Sequence, residues 1–195
     1  MATLQLARIS PTTDRQRAIA TITEAFRNDP VCRWVWPDEH VYDQYFPPFV
    51  EAFAGAAFAA GSAHGTDDLG GVALWLPPGV SSDNEALGQI AVESIPEERQ
   101  EEAFAFLGQQ EEQHPHEPHW YLPLIGVAPG YQGKGFGGSL LEYALYRADR
   151  DGLPAYLEAT TERNRALYER HGFKVVGEIQ YASSPAMWPM WRDPR

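Results

Sequence analysis

The sequence predicts one α/β domain over residues 1–195, and three observations carry that expectation. A chain of 195 residues can bury one sizeable core and is short for two. With 44% hydrophobic and 22% charged residues, its composition is that of an ordinary globular protein. Its second half alternates strand-like and helix-like stretches, with a glycine-rich loop between one strand and the helix after it. No internal repeat, low-complexity segment or linker divides the chain.

Leu4–Ile9 alternates and reads as a first strand. Ser10-Pro11-Thr12-Thr13-Asp14 supplies turn and cap signals, and Arg15–Phe26 is helical, with Ala18, Ile19, Ile22, Ala25 and Phe26 on its apolar positions. Asn28-Asp29-Pro30 ends that helix. Val41–Ala60 reads as a longer helix with Tyr45, Phe49 and Phe53 on one face, and Pro47-Pro48 suggest a start at Pro47. Ser62–His64 and Gly71–Pro77 form a hairpin of short strands. Ser82–Val92 and Glu97–Gln113 read as acidic helices, and His114–Pro118 as a loop. His119–Val127 is a strand, Ala128–Lys134 a loop and Gly135–Arg150 a helix. Pro154–Ala159 is a strand, and Arg163–His171 a helix stopped by Gly172. Phe173–Tyr181 and Ala186–Trp191 close the chain as two strands.

A net charge of −12 gives no basic footprint for nucleic acid. Cys32 is the single cysteine, which excludes a disulfide framework and a Cys-rich zinc site; it reads as a small buried hydrophobe. Met1–Ser10 lacks a signal-peptide core, and Phe49–Ala60, the most apolar stretch, is too short to span a bilayer. The expectation is a soluble cytoplasmic protein, monomer or homodimer, with neither nucleic acid nor membrane as partner. His114, His116 and His119 lie within six residues, but two prolines disrupt their spacing and no fourth ligand is evident, so no metal is expected.

The strongest local signal is Gly126-Val127-Ala128-Pro129-Gly130-Tyr131-Gln132-Gly133-Lys134-Gly135-Phe136-Gly137-Gly138. Gly133, Gly135, Gly137 and Gly138 leave the backbone uncovered and permit positive φ. The first N–H groups of the following helix have no partner inside it and sit at the positive end of its dipole, which suits an anion. Lys134 adds a local positive charge. A pyrophosphate ligand fits these residue types. Gly133, Gly135 and Gly138 also spell a dinucleotide fingerprint, with Glu158 twenty residues on. Against that reading, five residues including Pro129 separate Val127 from Gly133, and only 57 residues follow Gly138.

Gln132-Gly133-Lys134-Gly135-Phe136-Gly137 resembles the acetyl-CoA motif Q/R-x-x-G-x-G/A of the GNAT N-acetyltransferases. The resemblance continues through Val127-x-Pro129, Leu153–Glu158, Arg163-Asn164, Leu167–Phe173 and Ser184–Trp188. It is dense from Pro118 to Trp191, where it is similar to the puromycin N-acetyltransferase group, and faint before that, at Glu24-Ala25-Phe26 and Asp29-Pro30. It implies a mixed, mostly antiparallel sheet of six to seven strands flanked by helices. It also implies direct transfer of acetyl from acetyl-CoA to an amine of a small molecule.

On this resemblance, Ile125, Gly126 and Val127 hold the pantetheine arm, Gln132 through Gly138 hold the phosphates, and Asn164 contacts the cosubstrate. Tyr168 is implied as the acid that reprotonates the thiolate. By residue pattern alone Tyr168 reads as a core aromatic; with an ordinary pKa of about 10 it can donate at neutral pH. Pro123 fits a break in strand pairing. Tyr121–Val127 carries no acidic residue, so the base is open between Glu117, His119 and a water chain. Phe26, Trp34, Trp36, Tyr42, Tyr45, Trp75, Trp120 and Trp188 make an aromatic acceptor pocket plausible. A protein amine as acceptor, and an acyl-CoA sensor without catalysis, remain open as alternatives.

Overall fold

The computed structural model describes residues 6–9 and 13–195; Leu4 and the turn at Ser10-Pro11-Thr12 lie outside them. The first strand, β1 (Leu6–Arg8), is followed by α1 (Arg15–Phe26), as the periodicity predicts, with Ala18, Ile22 and Thr23 buried. Asn28-Asp29-Pro30 ends α1 and also starts a helix the sequence reading missed, α2 (Pro30–Val35). The Asp29 carboxylate accepts from the N–H groups of Val31 and Cys32, and Pro30 sits where a helix needs no donor.

The next helix does not start at Pro47. It runs as α3 (Glu39–Ala54), capped by Asp38, with both prolines inside. The lost N–H donors are tolerated because Tyr42, Phe46, Val50 and Ala54 form a fully buried stripe that holds the helix to the sheet. A short α4 (Ala56–Ala60) ends at Gly61 in the left-handed region, φ 65°.

The hairpin β2 (Ala63–Thr66) and β3 (Gly71–Leu76) forms as expected. It is followed by α5 (Asn84–Ser94), α6 (Glu97–Gln113) and β4 (Trp120–Val127). A single 3-10 turn, Pro129–Tyr131, leads into α7 (Phe136–Arg150). Then come β5 (Ala155–Ala159), α8 (Glu162–Arg170), β6 (Lys174–Val175) and β7 (Trp188–Arg192). The strand expected over Phe173–Tyr181 shrinks to β6 and one bridge, Ile179 to Met187. Pro189 of β7 faces this stretch and has no N–H to donate, and the register slips by one residue between the Val175–Met190 pair and that bridge.

The seven strands run in the order β1-β2-β3-β4-β5-β7-β6, all antiparallel neighbours except β4 and β5. This is a mixed, mostly antiparallel sheet with helices on both faces. Ile22, Tyr42, Phe46, Val72, Leu74 and Tyr156 belong to the core under α1–α4. Ala73, Trp75, Leu122, Leu140, Leu157 and Tyr168 belong to the core under α7 and α8. No helix among the described residues is long and apolar enough to cross a membrane.

Candidate active site

The site begins where the sheet opens. β4 and β5 pair only at Trp120–Ala155 and Tyr121–Tyr156. Beyond these pairs β5 continues with β7 on its other side, and β4 continues with β3. Among the described residues, the β5-facing edge of β4 therefore has no strand partner from Leu122 to Val127. A bulge accompanies the parting: Leu74 pairs with Leu124 but Leu76 with Tyr121, so β4 holds one extra residue there. Pro123 occupies that extra length, in line with its missing N–H. The bulge also sets the faces: Tyr121 and Leu124 pack under α1–α4, whereas Leu122 and Ile125 pack under α7 and α8.

At the open end of β4, the loop is held by its own side chains. Gln132 Nε2 donates to the Val127 carbonyl at 3.1 Å, and Lys134 Nζ donates to the Gly130 carbonyl at 2.9 Å. Lys134 also lies 5.3 Å from the Tyr131 ring centroid. Gly133 and Gly135 have φ of 75° and 85°, and a Cβ on either would meet nothing within 4 Å. Their glycine identity therefore reflects backbone conformation and open approach, not crowding. Ser139 N–H makes the first bond of α7, to the Gly135 carbonyl. Among the described residues, the N–H groups of Gly133 through Gly138 have no protein acceptor. A row of unpaired donors at a helix N-terminus, beside an uncovered backbone, fits a pyrophosphate.

Other expected residues divide by what they pack against. A Cβ on Gly126 would lie 2.7 Å from Ala25 Cβ and 3.1 Å from Ile22 Cδ1, so this glycine lets α1 approach β4. Phe136 stacks near Tyr131, centroids 5.8 Å apart. Gly137 sits against Leu167 and Val127, and Gly138 against His171. Asn164 is in the first turn of α8, its N–H capped by Thr161 Oγ1 at 3.1 Å. Tyr168, one turn on, is 6% exposed and edge-on to Phe173. Its hydroxyl has no hydrogen-bond partner among the described residues. Burial raises its pKa, and the charge of Asp29 adds to the rise.

Asp29 is the residue whose role the sequence reading missed. Its Oδ1 caps α2, and its Oδ2 accepts from Thr160 Oγ1 at 2.5 Å, tying α2 to the segment between β5 and α8. Burial raises its pKa; the hydrogen bonds from Thr160, Cys32 and Val31 only partly offset that. The signal was present in the chain, since an Asp before Pro is a cap, but a cap reads as structural until Thr160 is bonded to it and its charge is felt at Tyr168.

The two side chains considered as a base differ in setting. Glu117 is exposed, and only its carbonyl faces the His119 ring. His119 packs with His114 against Tyr121 and Tyr156, and burial lowers its pKa. Among the described residues, no group of three or more His, Cys, Asp or Glu is placed to hold a metal. Of the aromatic residues considered for an acceptor pocket, Trp75 and Trp120 are buried under α7 and α8, and Trp36 and Tyr42 under α1–α4. Trp34 stacks on Phe106 and bonds Ser183; Trp188 bonds Glu178 under Arg165.

A sheet parted between two parallel strands, with a donor-lined loop at the open end and helices on both faces, is the architecture of an acyl-transferring enzyme. Residues 24–173 match the Acetyltransferase (GNAT) family, and the chain belongs to it. An uncharacterized N-acetyltransferase of Schizosaccharomyces pombe is 30% identical over 178 residues, 82% of this chain and 70% of the relative. A solved structure described as histone acetyltransferase HPA2 and related acetyltransferase, from Corynebacterium glutamicum, superposes with a TM-score of 0.70 at 25% identity, over 100% of this chain and 98% of that one. Arylalkylamine N-acetyltransferase 2 of Aedes aegypti has the same fold, with a TM-score of 0.70 at 14% identity over the full length of both.

Proposed function

We propose that this N-acetyltransferase uses acetyl-CoA and transfers its acetyl group directly to a primary amine of a small molecule. The observation that carries the cosubstrate is the pair of unpaired backbone stretches at one end of the sheet: the β5-facing edge of β4 beyond Tyr121 and the N–H groups of Gly133–Gly138, joined by a loop that is bonded to itself. The edge suits the amide-bearing pantetheine arm, by the strand-addition mode of recognition. The loop, Lys134 and the α7 N-terminus suit the pyrophosphate. The family resemblance adds Asn164 and Tyr168 of α8 to the same reading.

In the reaction the amine nitrogen forms a bond to the acetyl carbon, and the carbon–sulfur bond breaks. Asp29 receives the proton the nitrogen loses, and the Tyr168 hydroxyl supplies one to the departing thiolate. Burial raises the pKa of Asp29, making it a better base than a solvated Asp, and keeps Tyr168 protonated. The acceptor approaches from the α1–α4 face, where Asp29 sits. The similarity of residues 118–191 to puromycin N-acetyltransferases makes puromycin one member of the acceptor panel.

Thermal unfolding with acetyl-CoA and, separately, with NAD tests the cosubstrate. A ligand selective for the folded state raises the melting temperature. The expected result is a rise with acetyl-CoA alone; a rise with NAD alone would overturn the reading.

A further inference from the structure

Glu158 is a buried carboxylate that the steps above do not use. Its side chain is 5% exposed, on the face of β5 that also carries Tyr156. A carboxylate offers about four acceptor sites, and this one has a single firm donor, Tyr121 Oη at 2.9 Å on Oε2. On Oε1 there are only a long contact from Gln110 Nε2 at 3.4 Å and His114 Nδ1 at 3.9 Å. Among the described residues, no Lys or Arg pairs with it. Beside it the Tyr156 hydroxyl is fully buried and has no hydrogen-bond partner. Its pKa is raised by burial, by the negative charge of Glu158 and by hydrogen bonding toward that carboxylate, at a separation too long to count as a formed bond. His114 and His119 meet Tyr121 and Tyr156 edge-on, at 4.8 to 6.5 Å between centroids.

A buried carboxylate with one firm donor, next to a buried hydroxyl that forms no close hydrogen bond, is costly unless something arrives to complete it. What completes it is a cation with several N–H donors, and aromatic faces favour such a group. The nitrogen being acetylated attacks as the neutral amine, so it is not the group that stays on Glu158. Two residues further along the chain, Thr160 holds Asp29. Thr160 follows directly on the end of β5, so Glu158 and the Asp29 partner are two residues, at most about 7 Å of chain, apart.

We propose, building on the acetyltransferase reading above, that Glu158 with Tyr156 anchors a second cationic group of the acceptor. The substrate class is then a diamine or a guanidinoalkylamine, with one nitrogen at Asp29 and the other, still protonated, at Glu158. Gln110 and His114, at the end of α6, are the weak contacts this cation displaces.

The test compares 1,4-diaminobutane with butylamine as acceptors, by free-thiol release, in wild type, Glu158→Gln and Tyr156→Phe, with melting temperatures of all three. The wild type is expected to prefer the diamine in kcat/KM. Glu158→Gln should raise KM for the diamine relative to butylamine on the order of 10- to 100-fold. Tyr156→Phe keeps the ring and should produce a smaller shift in the same direction. Equal effects on both amines, or none, would overturn the assignment and leave Glu158 a structural partner of Tyr121. If Glu158→Gln fails to fold, Tyr156→Phe with an unchanged amine preference overturns it by itself. Acetylation of no amine by wild type would instead overturn the acetyltransferase reading on which this inference rests.

Discussion

Replacing Tyr168 with Phe separates a catalytic from a structural tyrosine, because the structure fixes what each role would cost. The ring is 6% exposed and lies 6.1 Å from Phe173, a contact Phe preserves. The hydroxyl holds no other described residue, so its removal leaves no buried group unpartnered. The stability change should stay within about 0.5 kcal/mol, or roughly 1–2 °C for a domain of this size. Loss of a positioned proton donor costs on the order of 10²–10⁴ in rate, about 3–5 kcal/mol in the barrier. The assay is thiol release at saturating acetyl-CoA, with melting temperature measured in parallel. The expected outcome is a kcat lower by about 100-fold or more and nearly unchanged acetyl-CoA affinity and stability. A kcat within twofold of wild type would refute the proton-donor role.

Asp29→Asn should lower kcat/KM by about 10²–10⁴. It should also remove the acidic limb of the pH–rate profile, where wild-type activity falls as the raised carboxyl protonates; an unchanged limb would exclude Asp29. Two glycines should fail differently. Gly126→Ala overpacks α1 against β4 at about 1–3 kcal/mol and should show in melting temperature. Gly135→Ala, with φ at 85° and open space around it, carries about 1–2 kcal/mol of backbone strain and should also weaken acetyl-CoA binding. Asp149 holds buried Arg192 through two bonds of 2.7 and 2.8 Å, and this pairing lowers its pKa. A depressed acid stabilises the fold fully above its unfolded pKa of about 3.9 and loses that contribution as pH falls through the folded value. Asp149→Asn should therefore be less stable at pH 7 and lose less on acidification below about pH 4, as pH-dependent thermal melts would show.

The second half of the chain was legible because each of its signals is local. The glycines of the loop and the stop at Gly172 act within a few residues, and α7, β5 and α8 formed within one or two residues of expectation. Where tertiary packing outweighs local preference, the reading failed. Pro47 and Pro48 argue for a helix start, yet the buried stripe from Tyr42 to Ala54 carries α3 through them. Phe173–Tyr181 has strand composition, but its partner strand offers Pro189 in place of a donor. In the site, the loop residues could be located from the glycine motif. Asp29 could not be grouped with them, because 131 residues separate it from its partner Thr160; Glu158 stood out only as the acid of a dinucleotide fingerprint, and its burial is what makes it informative. Gly126 was located correctly on β4, but its local reason is the approach of α1, which spacing alone does not reveal.

The most direct test of the central claim is a single titration: purified protein, acetyl-CoA, and a panel of primary amines including diamines and puromycin, followed by free-thiol release and by mass measurement of the amine. The expected result is one equivalent of thiol for each acetylated amine, with release dependent on both substrates. Acetyl-CoA binding without thiol release for any amine would contradict it and favour an acyl-CoA sensor. Thiol release without acetylated amine would mean that water, not an amine, is the acceptor.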